Sequence, residues 1–442
     1  MSEILSPTFY LVLYSLLWLV SLVVYKIQFR GTNLGAGLLV FWFFSSIASI
    51  WMIGQGYYYS SGLYRFDIVS FTPLLYLWIV VMMFAGPILI AKAPPSSYLL
   101  FCTQSNEQAK KAIASMLILS FVLLSLVKLY CVLKLPNAFD FFSATTGSFS
   151  KREHQAELNE AIFSSKMGIY SNKITDIFRD SMLCFAFYYV VAKKKFKATI
   201  LFLCCVGLPF YEAVVFGNRQ KIICLLITIF ITYELFKQFL DGNLRRRIRI
   251  FFCVFVLVCM FPVFLISILR FGDYADFLVY EMIRYFGESS VNFASWLFPH
   301  LQGQDNGKII MSTLFRDLSF YQKIYTIGPY FYTFVGSIIM AWGRLFAFFA
   351  GLFFLLFSLK HVQNLQSRKM SLGKAIALQT VAIMCYEGLF SFIHWLAFGA
   401  FIAGFLWLLI LDSNWLYTIQ RIWEKIISLE PSIFIKTRGK HA

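Results

Sequence analysis

Five basic residues of this sequence are placed where they could hold an anion. They are Arg219, Lys221, Arg270, Arg284 and Arg316. Arginine presents a planar fork that binds phosphate through two parallel hydrogen bonds, while lysine adds a compact charge. Such cations stabilise the negative charge that develops on a departing diphosphate, without the help of a strong general acid. The residue types therefore indicate diphosphate binding and transfer of the group attached to it.

Basic clusters on either side of Arg219 predict the side of the membrane on which it lies. Segments 193–197 (KKKFK) and 245–249 (RRRIR) flank two apolar runs. Such clusters stay in the cytoplasm because lysine and arginine resist translocation. The turn between the two runs, GNRQK at 217–221, is therefore predicted to be external. Basic residues are disfavoured on that side, so a bound external anion is the natural explanation for them.

Two external residues are candidates for the acid or base of a reaction, Glu288 and His300. Neither is decisive, because a lone histidine is more often structural, and Glu288 could pair with Arg284 one helical turn away. Arg270 could likewise extend from a helix end to the interface without binding a ligand. No group of His, Cys, Asp or Glu has the spacing of metal ligands, so we expect neither a metal nor a cofactor.

The composition indicates the class of protein that must position these residues. Hydrophobic residues make up 59% of the chain and charged residues 14%. A soluble domain is closer to half apolar and a quarter charged. The first apolar run has no preceding positive charge and no small-residue cleavage site, which favours a retained span over a signal peptide. The chain is therefore expected to be an all-α, polytopic integral membrane protein.

At roughly 20 apolar residues per span, the sequence predicts about eleven transmembrane helices in one integral domain, residues 1–442. The predicted spans are 8–27, 36–56, 70–90, 112–133, 177–192, 198–216, 222–240, 250–269, 337–359, 375–392 and 396–411. This count places the amino terminus outside and the carboxyl terminus inside. It leaves two long external loops, 134–176 and 270–336, and a cytoplasmic amphipathic tail, 413–442.

Arg344 is an exception within the apolar run that follows the second loop. It comes directly after Gly343. It either marks the start of a helix near the outer boundary or is an intramembrane charge that needs a partner. The sequence leaves both alternatives open.

Two segments resemble a known family. FGNRQKIICLLITIF is similar to the external Gly-x-Arg turn that opens a span of the Wzy-type O-antigen and capsule polymerases, and YTFVGSIIMAWGRLFAFFAGLFF is similar to their Gly-spaced entry into the span after the large loop. The layout of many helices with two long external loops extends the resemblance over nearly the whole chain. The O-antigen ligases are more distantly similar, and their external histidine beside an asparagine is not reproduced at His300.

The resemblance implies a GT-C-like fold in a bacterial inner membrane, with the amino terminus periplasmic. It implies a metal-independent, inverting glycosyltransferase that joins repeat units carried on undecaprenyl diphosphate. Arg219 would bind the donor diphosphate, with help from Arg270 or Arg284, whereas the family's pattern of an arginine and a distant glycine is met only loosely by Arg316 and Gly328. A chain-length-regulating co-polymerase of the Wzz type is the expected protein partner, besides membrane lipids, and nucleic acid is not expected.

Two other functions compete with polymerisation. A flippase or transporter for lipid-linked oligosaccharides usually has internal repeats, discontinuous helices at mid-membrane and charges within its spans. The predicted spans are mostly uncharged and no repeat is visible, which favours a polymerase. An O-antigen ligase would use the same donor chemistry, but the missing histidine motif argues against it.

Overall fold

The computed structural model describes residues 6–29, 33–54, 69–91, 99–102, 107–134, 166–215, 218–271, 275–300, 333–363, 370–389 and 395–412. These residues are almost entirely helical, which confirms the all-α prediction. The predicted tail 413–442 and most of the first predicted loop lie outside the described residues. Helices are expected throughout. The bilayer core has no water to hydrogen-bond the backbone, and a helix satisfies these hydrogen bonds internally.

Helices account for most of the described chain. They are α1 (Pro7–Val24), α2 (Asn33–Gly54), α3 (Phe71–Ile90), α4 (Glu107–Leu133), α5 (Lys166–Val191), α6 (Lys195–Phe202), α7 (Leu208–Val215), α8 (Arg219–Phe236), α9 (Gly242–Phe271), α10 (Ala275–Asn292), α11 (Phe298–His300), α12 (Phe334–Trp342), α13 (Arg344–Gln363), α14 (Leu372–Glu387) and α15 (Trp395–Asp412). Single π-helical turns, Tyr25–Phe29, Leu203–Gly207 and Phe293–Leu297, continue α1, join α6 to α7 and join α10 to α11, and a 3-10 turn, Lys237–Phe239, ends α8. Two short strands, β1 (Leu99–Leu100) and β2 (Met370–Ser371), pair in parallel.

Seven of the described helical segments are long and apolar enough to cross a membrane. They are Pro7–Gln28, Leu34–Gly54, Phe71–Ile90, Glu107–Leu133, Lys195–Val215, Gln220–Phe239 and Gly242–Phe264. Each overlaps a predicted span, and together they make the chain a multi-pass membrane protein. The other four predicted spans fall on α5, on α12 with α13, on α14 and on α15.

The predicted span 337–359 is interrupted, because Gly343 separates α12 from α13. Gly343 has φ +89°, a left-handed conformation that glycine adopts without a steric cost. Phe84 of α3 packs against Phe334 at the start of α12 and against Phe354 of α13, with ring centroids 5.5 Å apart in both pairs. The two ends of the segment therefore meet the same level of α3, so α12 and α13 form a tight antiparallel hairpin.

The start of α12 meets the end of α14 inside the bundle. The Phe334 N–H donates to the Gly388 carbonyl at 2.8 Å, and Thr333 caps α12 by accepting from the Gly336 N–H. Glu387, the last residue of α14, accepts a hydrogen bond from Thr228, the tenth of the eighteen residues of α8. The start of α12 and the end of α14 thus lie near the middle of α8. There, a terminal N–H of one helix is satisfied by a carbonyl at the end of the other.

Helix α10, which the sequence placed in the second external loop, packs closely against α2. The hydroxyls of Ser45 and Ser49 donate to the carbonyls of Phe286 and Gly287, each at 2.7 Å. A Cβ atom on Gly287 would lie 2.7 Å from the backbone carbonyl carbon of Ala48. Small residues and polar hydroxyls at such a seam allow two backbones to approach, as in membrane helix pairs. The segment is therefore part of the helical bundle.

Replacing Gly287 with alanine should destabilise this seam. The added Cβ meets backbone atoms of α2, which cannot rotate away, so the helices must separate and weaken both serine hydrogen bonds. We expect a loss of about 1 to 3 kcal/mol, typical of overpacking, measured by thermal unfolding of purified protein in detergent. Gly54→Ala is the matched control, because a Cβ there meets nothing within 4 Å. Equal stability of the two variants would contradict the close contact.

Candidate functional site

The turn between α7 and α8 contains the basic residues singled out in the sequence. The N–H of Asn218 donates to the Ala213 carbonyl at 2.7 Å, and its side chain accepts from the Lys221 N–H at 3.1 Å. Asn218 is therefore an N-cap, a position that asparagine favours because its side-chain oxygen replaces a missing helical acceptor. The cap fixes the backbone of residues 219–221 at the start of α8.

Lys221 is one end of a chain of ion pairs that connects four helices. Its Nζ lies 2.7 Å from Oε1 of Glu212 on α7. The other oxygen of Glu212, Oε2, lies 2.8 Å from Nζ of Lys128 on α4, and the same Nζ lies 2.8 Å from Oδ1 of Asp176 on α5. Two lysines and two carboxylates therefore alternate through three contacts. We call these four residues the ion-pair chain.

Exposure is lowest in the middle of the ion-pair chain and higher at its two ends. The accessible fraction of the side chain is 19% for Lys221, 15% for Asp176, 10% for Glu212 and 3% for Lys128. Lys128 is thus sealed beneath two carboxylates, while Lys221 and Asp176 reach the accessible edge. The ion-pair chain therefore has a partly accessible cation at one end and a partly accessible carboxylate at the other.

A second set of polar contacts involves α5, α8 and α14. On α5, Arg179 Nε donates to Oδ1 of Asp180 at 2.8 Å, and both residues are largely buried. On α8, the Thr228 hydroxyl donates to Oε1 of Glu387 at 3.0 Å, and one turn further the Gln379 amide donates to the Thr232 hydroxyl at 2.7 Å. Polar residues therefore extend from the ion-pair chain into the middle of the bundle.

The sequence interpretation that the spans are mostly uncharged missed these residues. Lys128, Arg179, Asp180 and Glu212 all lie within predicted spans, and Asp176 lies at the edge of one. A charged side chain within an apolar run is costly unless it is paired, so charges of both signs on several spans were a signal that such pairs exist. Which charges pair with one another depends on helix packing and could not be read from the sequence.

Glu288, a predicted catalytic residue, is enclosed by neighbours on its own helix. Its Oε2 accepts from Arg284 Nε at 2.8 Å, and its Oε1 accepts from the Asn292 amide at 3.2 Å. Only 4% of the Glu288 side chain is accessible, against 24% for Arg284. The alternative that Arg284 pairs with Glu288 along the helix is confirmed. The bidentate environment of the carboxylate fits a positioning role better than proton transfer.

The other predicted site residues are described only through the backbone or not at all. Arg219 begins α8, Arg270 lies in the last turn of α9, and His300 ends α11. The side chains of these three residues, and Arg316 as a whole, lie outside the described part of the chain. Their predicted roles remain predictions.

Arg344 starts a helix, as one of the two alternatives for this residue requires. It is the first residue of α13, and the Tyr76 hydroxyl donates to its carbonyl at 2.6 Å. Its guanidinium carbon lies 3.9 Å from the centroid of the Phe298 ring, and its Nη2 donates to the Phe298 carbonyl. Stacking of this kind stabilises a guanidinium on an aromatic face. Arg344 thus ties α13 to α11, which lies within the second predicted loop.

The ion-pair chain is the strongest candidate for a functional site among the described residues. It combines a cation suited to phosphate with a carboxylate able to accept a proton, and it lies beside the capped turn that bears Arg219. No protein-family model matches the chain, and neither the curated proteins nor the solved structures contain a significantly similar sequence or fold. Function must therefore be inferred from the chemistry of these residues.

Proposed function

We propose that this protein polymerises undecaprenyl-diphosphate-linked oligosaccharide repeat units into O-antigen or capsular polysaccharide. The reaction takes place at the periplasmic face of a bacterial inner membrane. The growing glycan on its lipid diphosphate is the donor, and a sugar hydroxyl of a newly arrived lipid-linked repeat attacks its anomeric carbon. Lipid diphosphate then leaves, and direct displacement inverts the anomeric centre.

The ion-pair chain is the observation that carries this proposal. Lys221 lies two residues after Arg219 and is held by Glu212, which is held in turn by buried Lys128. A cation fixed in this way needs little reorganisation to stabilise charge developing on a diphosphate. Arg219 adds the fork suited to phosphate, and Arg270 and Arg316 are further candidates from the second loop. Buried charges that membrane proteins retain at such cost usually serve function.

The wider architecture that we propose follows the resemblance of the sequence. It has about eleven transmembrane helices, each needing roughly 20 apolar residues, in a GT-C-like arrangement. The amino terminus is periplasmic and the carboxyl terminus cytoplasmic. Both substrates are anchored in the membrane, so their lipid chains enter laterally between helices while the loops gather over the sugars. A Wzz-type co-polymerase is the proposed protein partner.

Deletion of the gene in its native host tests the proposal. A polymerase mutant should still cap lipid A core with a single repeat unit, because ligation of one unit needs no polymerisation. A ligase mutant should display no repeat at all. Gel separation of the surface glycan distinguishes the two. Long polymer in the deletion strain would contradict polymerase function.

Polymerisation should continue in excess EDTA. Lys221 and Arg219 supply the positive charge that a divalent ion would otherwise provide, so chelation is expected to change the extension rate by less than about twofold. The assay uses purified enzyme and lipid-linked repeats in detergent, with substrate solubility checked because magnesium also affects lipids. A complete loss of activity that a stoichiometric divalent ion restores would show that a metal carries this charge.

A lipid-linked oligosaccharide transporter is a second candidate that two structural features favour. Helix α12 begins and helix α14 ends inside the bundle, and near that point Asp180 is buried and Glu387 is partly buried. Discontinuous helices and buried charges are typical of transporters. Reconstitution into vesicles separates the candidates, because a transporter moves a fluorescent lipid-linked sugar between leaflets without changing its length, whereas a polymerase lengthens it.

A further inference from the structure

We infer that Asp176 is the general base of the proposed polymerisation, an inference that rests on the proposed function. A base must reach the acceptor hydroxyl, have a free oxygen and lie close to the donor. Asp176 Oδ1 is taken by Lys128 at 2.8 Å, whereas Oδ2 accepts no hydrogen bond within the described part of the chain. The side chain is 15% accessible, and Oδ2 is the oxygen that has no described hydrogen-bond partner.

Other described carboxylates fit the role less well. Both oxygens of Glu212 contact lysines, at 2.7 and 2.8 Å, which suits a residue that positions Lys221. Both oxygens of Glu288 accept hydrogen bonds, and its side chain is sealed. Asp180 and Glu387 lie deeper in the bundle and are held by Arg179 and Thr228. Asp176 combines access with an uncommitted oxygen.

Lys128 makes Asp176 a positioned base. Its Nζ contacts both Asp176 and Glu212, so the carboxylate that takes the proton and the carboxylate that holds Lys221 share one fixed point. The distance between the base and the diphosphate cation is thereby set by three short contacts. Such alignment is what a displacement reaction requires, because the nucleophile and the leaving group lie on opposite sides of one carbon.

The chemical step balances with these groups alone. Asp176 Oδ2 takes the proton of the acceptor hydroxyl. At the same time, the oxygen of that hydroxyl forms a bond to the donor's anomeric carbon. The bond from that carbon to the diphosphate oxygen breaks, and the electron pair leaves with lipid diphosphate beside Lys221. The proton on Asp176 passes to water before the next cycle. No oxidant, reductant or further reactant is needed.

The test compares Asp176→Asn with the wild type in extension of purified lipid-linked repeats. Asparagine keeps an oxygen for Lys128 but accepts no proton, so kcat should fall by about 100- to 10,000-fold, while the KM for donor changes by less than about threefold. With Asp176→Ala, azide or formate should restore part of kcat, since a small base can occupy the vacated space. A merely structural role for Asp176 predicts no such rescue.

Glu234→Gln is the matched control, because Glu234 is also a lysine-paired carboxylate, 11% accessible, but lies at the opposite end of α8. Its kcat should equal that of the wild type. If Asp176→Asn does not fold, the double variant Lys128→Gln with Asp176→Asn removes the uncompensated charge and should be folded yet inactive. An active Asp176→Asn or an active double variant overturns the inference. Wild-type enzyme that extends no repeats contradicts the proposed function itself.

Discussion

The Arg219→Ala variant is expected to extend polysaccharide about 30- to 1000-fold more slowly than the wild type, since it loses a phosphate contact worth about 2 to 4 kcal/mol in the transition state. Arg219 begins α8, and the Asn218 cap fixes that end of the helix. Truncation should therefore remove a charge without altering the fold. Arg219→Lys should restore activity only partly, because lysine lacks the fork.

Gln220→Ala is the control for this prediction. Gln220 is the neighbouring residue on the first turn of α8 and is exposed. Its replacement should leave both polymer length and membrane accumulation unchanged. Polymer length is measured on gels of surface glycan, and accumulation by quantitative immunoblotting. Normal polymer from Arg219→Ala and Arg219→Lys would exclude the proposed role of the arginine.

Lys128→Met is expected to destabilise the protein more than other single lysine substitutions in the described helices. Lys128 is buried between Asp176 and Glu212, and its removal leaves Asp176 without its ion pair beside a Glu212 that keeps only Lys221. Breaking a buried ion pair in this way costs about 3 to 5 kcal/mol. We expect a marked decrease in the melting temperature of purified protein in detergent and in the amount that accumulates in the membrane.

Two comparisons isolate the electrostatic cause of that loss. Lys111→Met removes a lysine of the same helix whose pair with Glu107 is about half exposed, so it should change stability by less than about 1 kcal/mol. Adding Asp176→Asn to Lys128→Met removes the carboxylate that has lost its ion pair and should recover part of the lost stability. If the double variant is less stable than Lys128→Met, packing of the lysine stem is the dominant contribution.

Much of the helical framework could be predicted from the sequence, because a continuous apolar run has few alternatives in a membrane. The start of α8 was placed within a few residues, since the sequence GNRQK both interrupts an apolar run and contains the capping asparagine. A helix start at Arg344 was one of two alternatives that the sequence left open, whereas the hairpin around Gly343 was not predicted. Apolar segments lie on both sides of Gly343, so the hydropathy pattern shows no break there. A glycine with positive φ cannot be recognised from hydropathy alone.

The candidate site was predictable only in part. Lys221 was identified because a basic residue at an external turn is unusual, and the pair Arg284–Glu288 followed from helical spacing. Lys128 and Asp176 were not identified, since they are 48 residues apart and meet only after α4 and α5 pack. Local patterns determine local contacts, whereas the partner of a buried charge is determined by tertiary structure.

The contact between Phe334 and Gly388 has a mechanical consequence. The chain that enters α12 is joined there, through one backbone hydrogen bond, to the residue after Glu387. Glu387 is joined in turn to Thr228 of α8, the helix that begins at Arg219. The start of α12, the end of α14 and the middle of α8 are therefore connected through two hydrogen bonds. An alteration at the start of α12 is consequently expected to be felt by the helix that begins at Arg219.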